Sequence, residues 1–386
     1  MRGTYKKYYE KYRGVLGVNA QAVIQKNNEA WSSFFSLLKL KKEGRLLPYI
    51  KPRPPGYWKA NGVRRILVIR QDRYEVNAKE GKIVLKDFNM EIKFAGRLRW
   101  YGKQGRLEII YDEATGRWYA HIPVKVGVET IRNGNKSRFI VRGERKSIQV
   151  ATPKGSKVAA IDLGINVLAS VVVDDSTWLL YKGVRAKEDY FYFERKIAQL
   201  QSLADTLRNM DADLYAEEEL RREIRRLQGK LKRRLVHLYR TLASDLVERL
   251  HELGVSTIYL GYPYNIAQER CNKFTVNLWS YRKLIQAIEL KAQEYGMRVY
   301  EVVEHNTSRL CAYHGVEVKR HPRGVIHCPL GHRLHSDLNG ALNIMKKALG
   351  RVVSIVKKPL SFIVDHNGIA PVKGSNALDP GRTLAL

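Results

Sequence analysis

Cysteine is almost absent: the 386 residues contain three, Cys271, Cys311 and Cys328. That is too few for a disulfide framework and excludes a small stapled secreted module. No stretch approaches roughly 18 consecutive apolar residues, so nothing reads as a membrane-spanning helix. The opening MRGTYKKYYEKYRG has no apolar core of the kind a signal peptide needs. A cytoplasmic, nucleoid-associated protein without membrane partners is therefore expected. Acid is scarce as well, with 38 Asp+Glu against 69 Lys+Arg and a net charge of +31. An excess that large repels itself unless a polyanion neutralises it, which points to nucleic acid. The cations are spread along the chain rather than gathered on one amphipathic helix, which argues against a membrane surface.

What is present divides by pattern. Apolar content of 44% allows one large core or about two to three modest ones. Val23, Ala30, Phe34, Leu37 and Leu38 recur at helical spacing within 18–42, and KPRPPGYWK at 51–59 breaks that helix. From about 63 to 150 the runs are short and β-like, and DEATG links two of them as a hairpin. Trp100, Tyr101, Trp118 and Tyr119 interleave with cations there; aromatics in strands are expected mainly in the core. KVAAIDLGINVLASVVV at 157–173 gives two apolar strands joined by a glycine turn. Residues 186–253 are nearly continuously helical in pattern, with Ile224, Leu227, Leu231, Leu235, Leu238, Leu242, Leu246 and Leu250 on one stripe. Arg221, Arg222, Arg225, Arg226, Lys230, Lys232, Arg233 and Arg234 are left on the other face, where phosphate contact is expected. A strand (255–262), a helix (279–295), a strand (298–304) and a closing helix (336–349) follow. The tail beyond Gly350 is expected to be irregular.

Three motifs carry chemistry. Asp162 ends an apolar strand and Gly164 follows, a place where a carboxylate can hold a divalent ion and the backbone can pass close by. Asp337 opens the last helix, where a carboxylate is also an ordinary N-terminal stabiliser. Cys311-Ala-Tyr-His314 and Cys328-Pro-Leu-Gly-His332, separated by thirteen residues, match tetrahedral zinc coordination by two sulfurs and two nitrogens. His332 is the expected fourth ligand, with His327 and His335 nearby as competitors.

Asp162, the long helical insertion, TSRLCAYHG (307–315), CPLGH (328–332) and SDLNGALNI (336–344) come in an order that resembles the TnpB family. These are OrfB-type proteins of bacterial and archaeal transposons, related to the type V CRISPR effector nucleases. The family's last segment reads roughly TS-x-x-C-x-x-C-G, C-x-x-C-G and D-x-N-A-A-x-N-I. The resemblance covers about 157–349 and implies an α/β chain built on an RNase H-like (RuvC) nuclease domain at 153–304. It further implies a helical insertion at 186–253, a zinc-binding hairpin at 305–335 and a final RuvC helix at 336–350. Upstream it implies a partial helical recognition lobe at 1–60 and a β-barrel-like wedge domain at 61–152, the chain beginning inside that lobe. The tail is 351–386. The activity implied is RNA-guided cleavage of double-stranded DNA, with a transposon-derived guide RNA, two catalytic Mg²⁺ and one structural Zn²⁺.

Such cleavage needs three carboxylates, and the glutamate usual in the family falls here on Gly261, which cannot ligate a metal. Glu304, ending the next strand, is the expected replacement, an arrangement known elsewhere in the wider family. Glu301 is its rival and, three residues away, points to the opposite face. The expected catalytic set is thus Asp162, Glu304 and Asp337. A nuclease-dead RNA-guided repressor and an inactive truncated transposon protein are the alternatives. His314 and His332 stand near positions usually held by cysteine, a change zinc tolerates.

Overall fold

A computed structural model describes residues 2–46, 50–56, 66–96, 104–112, 115–124, 128–133, 136–141, 151–210, 214–262, 281–304, 307–322, 324–354 and 358–372. The chain divides into two compact units, 1–149 and 150–386. Trp100, Tyr101 and Cys271 lie outside the described residues. No helix among those described is long and apolar enough to cross a membrane.

The first unit opens with two helices, α1 (Arg2–Leu16) and α2 (Asn19–Lys42), of which sequence periodicity indicates only the second. Strands β1 (Ile66–Ile69), β5 (Leu107–Asp112) and β6 (Arg117–His121) form one antiparallel sheet in the order β1-β5-β6. Strands β2 (Tyr74–Asn77), β3 (Lys82–Leu85) and β4 (Met90–Lys93) form another, and β7 (Val128–Asn133) pairs with β8 (Lys136–Val141). Ile69, Tyr74, Ile83, Leu85 and Leu107 make a shared core for the first two sheets. Among the described residues these sheets do not close into a barrel. Trp118 and Tyr119 correct the expectation of core aromatics, being 59% and 39% exposed. They sit on β6, every residue of which is exposed at the margin of its sheet.

The second unit is a mixed α/β layer structure. Its strands are β9 (Lys157–Asp162), β10 (Val167–Val173), β11 (Trp178–Lys182), β12 (Val255–Tyr262), β13 (Arg298–Val303), β16 (Leu360–Asp365) and β17 (Gly368–Pro371). They form one sheet in the order β13-β12-β9-β10-β11-β16-β17. β10 runs antiparallel to both neighbours, β17 antiparallel to β16, and the other adjacent pairs are parallel. The carboxyl ends of β9, β11, β12, β13 and β16 therefore share one edge. β16 and β17 correct the expected irregular tail: Phe362 and Val364 are buried, and this alternation lets the segment extend the sheet beside β11. Its helices are α3 (Val184–Asn209), α4 (Leu214–Glu252), α5 (Tyr281–Glu294) and α6 (Ser336–Leu349).

The helical pattern at 186–253 is two helices rather than one. Ile224, Leu227 and Leu231 in the first half of α4 and Tyr190, Phe193 and Ile197 of α3 join the same core as Leu242, Leu246 and Leu250 farther along. That core also holds Leu284, Ile285 and Ile288 of α5, Ile161 and Ile258. A second core, on the opposite face, joins Ala160, Val172 and Leu180 of the sheet to Leu338, Ala341, Leu342 and Ile344 of α6. Opposite faces follow from parity, since Ala160 and Ile161 are neighbours in β9. The short strands β14 (Val325–His327) and β15 (Arg333–His335) pair just before α6.

Candidate active site and metal centre

Strand register decides where each carboxylate points. Leu260 pairs with Ile161, and Gly261 pairs with Val302. Asp162, Gly261, Val302 and, two residues on, Glu304 therefore share the face covered by α6. Glu301 pairs with Leu260 on the other face and accepts a hydrogen bond from Arg282 of α5 at 2.5 Å. Side-chain alternation thus separates the two rival glutamates.

Asp162 and Glu304 are hydrogen-bonded through their carboxyl groups, and the charge of Asp337 bears on Asp162. Burial, then the negative charges of Glu304 and Asp337, lift the Asp162 carboxyl well above the usual carboxylate range, against the pull of Arg320. Burial likewise raises Glu304 to about 7, partly offset by its bond to Asp162 and by the nearby Lys347 ammonium. Two carboxyls in contact cannot both ionise without a cation, so one proton bridges them. Glu304 Oε1 is buried and makes no hydrogen bond among the described residues. An orphaned carboxylate oxygen beside the Asp162 carboxyl, with the charge of Asp337 bearing on Asp162, fits a divalent cation.

Two glycines wall this pair. A Cβ on Gly261 would run into the Glu304 carboxyl, with its Cδ at 3.0 Å, and into Ile344 Cδ1 at 2.5 Å. A Cβ on Gly340 of α6 would run into the Asp162 carboxyl, with its Cγ at 2.8 Å. Asp337 lies in the first turn of α6, whose cap is His335: its Nδ1 accepts the Asp337 amide N–H at 3.3 Å. Burial holds the His335 imidazole below its ordinary value, outweighing Asp337, in keeping with that accepting role. Nothing in the sequence marks Arg320. It stands between the two zinc pairs, in neither, and only folding brings its guanidinium, which donates to the Ser308 carbonyl, within electrostatic range of Asp162.

Three of the four expected zinc ligands form one group, and the fourth, Cys328, contacts one of them. The ligand atoms of Cys311, His314 and His332 lie within 4.8 Å of one another. Cys328 Sγ is 3.2 Å from His314 Nδ1, and Cys311 Sγ is 3.6 Å from His332 Nδ1. Sulfur and nitrogen bound tetrahedrally to one zinc stand roughly 3.5 Å apart, so these spacings fit the ion. Burial raises the Cys328 thiol, but bonds from His314, the Leu330 amide and Cys311 outweigh it and the net is a lowered value. His335 caps α6 instead, and His327 sits in β14 with its backbone paired to Lys319.

The side chains of α6 join this cluster to the acids. Asn343 Nδ2 donates to the carbonyls of Thr307 and Leu310 at 2.8 Å each. Asn339 donates to Leu310 and accepts from the Ala312 amide, while Lys346 donates to the Ala312 carbonyl. Lys347 donates to the Val303 carbonyl at 3.1 Å and Thr307 Oγ1 to that of Glu304 at 3.3 Å. One helix therefore fixes the segment on both sides of Glu304.

The eight cations expected to face phosphate are less uniform than their spacing suggests. Arg221 is bonded to Glu217, Arg225 to Glu218, Arg226 to Glu223 and Arg234 to Asp189. Lys230 lies over the Phe193 ring at 5.9 Å, while Arg222, Lys232 and Arg233 are exposed.

A family model described as a probable transposase, OrfB_IS605, matches residues 121–267, and one described as the Cas12f1-like TNB domain matches 281–344. The TnpB-like protein ORF457 of Acidianus two-tailed virus is 68% identical over 378 residues, covering 97% of this chain and 82% of that protein. Among solved structures, the complex of Cas12f1 with sgRNA and target DNA aligns with a TM-score of 0.44 at 19% identity. That alignment covers 63% of this chain, which spans 45% of the solved chain. A CRISPR-Cas12f ternary complex aligns with a TM-score of 0.41 at 15% identity, over 91% and 79% of the two chains.

Proposed function

The chain belongs to the TnpB-like family, and from that premise we propose that it is a transposon-type, RNA-guided endonuclease that cuts DNA at Asp162, Glu304 and Asp337. The observation that carries this reading is the meeting of Glu304 with Asp162 over Gly261. Two segments far apart in the chain supply Asp162 and Glu304 at one sheet edge, a third on α6 supplies Asp337 whose charge bears on Asp162, and one acid oxygen is buried without a hydrogen bond. The order β11-β10-β9-β12-β13, with β10 antiparallel, supports an RNase H-like (RuvC) core, in which the acids sit at the carboxyl edge. The OrfB-type family match supports the same assignment.

A pair of Mg²⁺ ions, when bound, supplies water activation and neutralises charge on the phosphate. Asp162, Glu304 and Asp337 are the residues that would hold those ions, with Asp162 and Glu304 both ionised. Arg320, from the hairpin, supplies a cation at the same place, suited to orienting a phosphate oxygen. Cys311, His314, Cys328 and His332 would hold a Zn²⁺, which would secure the hairpin. The proposed partners are a guide RNA and double-stranded DNA, which suit the charge of 1–149, where 33 Lys+Arg face 13 Asp+Glu.

Gly261 by itself suggests a nuclease-dead binder, but the contact of Glu304 with Asp162 over Gly261 favours the nuclease reading. The test uses the protein purified with RNA transcribed from the adjoining transposon end, mixed with matching DNA and Mg²⁺. Cleavage is expected, and Glu304→Ala should abolish it while leaving DNA binding intact. Undiminished cleavage by Glu304→Ala sinks the assignment of the site.

A further inference from the structure

We infer that Lys182 holds the DNA strand at a phosphate beside the one being cut, positioning the substrate from outside the group of acids. The inference rests on the nuclease reading above and adds a residue that binds substrate but no metal.

Lys182 is the last residue of β11, at the edge where β9 delivers Asp162. Trp178 and Leu180 belong to the core beneath α6, whereas Leu179 and Tyr181 belong to the core on the other face. By the same alternation Lys182 stands on the α6 face, which is also the face of Asp162 and Glu304. Register sets the offset. Asp162 pairs with Ser170 and Ser170 with Leu180, so Lys182 lies two strands across and two residues farther out. At about 4.8 Å per strand and 3.3 Å per residue, the two backbones are about 12 Å apart. That is too far for the ammonium to sit among the carboxyls, and close enough to meet a neighbouring phosphate of the same strand. Its charge reaches His335, the cap of α6, which places it on the Asp337 side of the site.

Lys182 is half-buried, yet it makes no hydrogen bond or ion pair among the described residues. The cations that follow it are already engaged: Arg185 bonds to Glu188 and Asp365, and Lys187 to Asn166. A partly buried ammonium without an acid is unfavourable until an anion arrives. Its backbone is nevertheless fixed. The Gly183 N–H donates to the Asn166 carbonyl at 2.9 Å, and a Cβ on Gly183 would stand 2.9 Å from the Ile165 carbonyl oxygen. Ile165 and Asn166 lie in the turn that follows Asp162, so this tight approach ties Lys182 to the acid. A lysine ammonium is a point charge that reads phosphate rather than base, which suits a site that must accept any guided sequence.

The test uses Lys182→Ala and Lys182→Arg in the full protein–RNA complex. Target DNA carries one uncharged methylphosphonate at a time, on either side of the mapped cut. In the unaltered protein one neutral linkage near the cut, but not at it, should slow single-turnover cleavage by roughly 10-fold. Lys182→Ala should slow cleavage of ordinary DNA by as much, and that linkage should then cost nothing further. Lys182→Arg should keep the sensitivity. Mn²⁺ affinity and the metal-free melting temperature should be unchanged in both variants. Undiminished cleavage by Lys182→Ala overturns the inference, as do losses that add at every linkage or a variant that binds Mn²⁺ more weakly. If the unaltered complex binds its target but cuts nothing, the nuclease reading fails, and the salt dependence of binding decides on Lys182. A slope lower by about one in Lys182→Ala supports the contact, and an unchanged slope rejects it. If the complex binds no target, both fail together.

Discussion

The carboxyl group of Glu304 occupies the volume that a side chain on Gly261 would need. The two positions are therefore mutually exclusive places for the same acid. Gly261→Glu alone should crowd Glu304 and Ile344 and reduce cleavage. Combined with Glu304→Ala, the same substitution should recover a large part of it. Cleavage rates of the two single variants and the double variant check this; additive losses in the double variant would show that the positions do not substitute for each other.

Glu304 near 7 and Asp162 well above the ordinary range give the metal-free protein an inverted pH response. Carboxyls in the unfolded chain titrate at about 4, so between there and roughly pH 7 the native state keeps a proton that the unfolded state has released. Stability from this pair is fully present below the unfolded value and is lost as pH rises through the folded one. The melting temperature without metal should fall as pH rises from about 4 through 7, and Mg²⁺ should restore it at the higher pH by replacing the proton. Glu304→Gln should flatten the drop. A variant that melts with the unaltered pH slope would remove Glu304 from the explanation.

Zinc removal should reach the acids through α6. The carbonyls and amide fixed by Asn339, Asn343 and Lys346 belong to the segment holding Cys311. Cys328→Ser or a strong chelator should loosen residues 307–312 and slow cleavage, with hydrogen exchange rising both there and at Glu304. Exchange confined to 311–332, with cleavage intact, would show that the cluster is a separate structural module.

Arg320 offers a sharper separation of chemistry from folding. It is exposed, and its guanidinium donates to a backbone carbonyl rather than to a core side chain, so Arg320→Ala should cost less than about 1 kcal/mol of stability. Cleavage should nevertheless fall by roughly 10²-fold or more, the scale expected when a reacting phosphate is deprived of a stabilising charge. Equal cleavage by the variant would leave Arg320 as a hairpin residue only.

The basic face of α4 divides by pairing. Arg222 and Lys232 are exposed, whereas Arg225 and Arg226 already bond to Glu218 and Glu223. Charge reversal at Arg222 and Lys232 should weaken RNA or DNA binding and lower its salt slope by about one for each phosphate no longer neutralised. Neutralising Arg225 and Arg226 together with Glu218 and Glu223 should matter less. Equal effects would mean that the ion pairs open on binding.

Much of the second unit is legible along the chain because its signals are local. The leucine stripe of α4 buries one face at helical spacing, Asp162 closes an apolar run, and two short Cys/His pairs are ligand geometry written in a few residues. The tail defeats that kind of reading because its strands are short: Leu360–Asp365 pairs with β11, a strand some 180 residues earlier in the sequence, and Gly368–Pro371 pairs in turn with Leu360–Asp365. Trp118 and Tyr119 defeat it for another reason: strand aromatics look alike whether their sheet face is covered or bare.

Composition, charge and motif order thus point to a polyanion as partner and give the residue types of the candidate sites. Register settles the rest. Whether Glu304 or Glu301 joins Asp162, and why a side chain on Gly261 would meet Glu304, depends on which residue of β12 lies beside which residue of β13. It depends also on how closely α6 lies over both. Those are distances between segments dozens to hundreds of residues apart, and only packing against a common core fixes them.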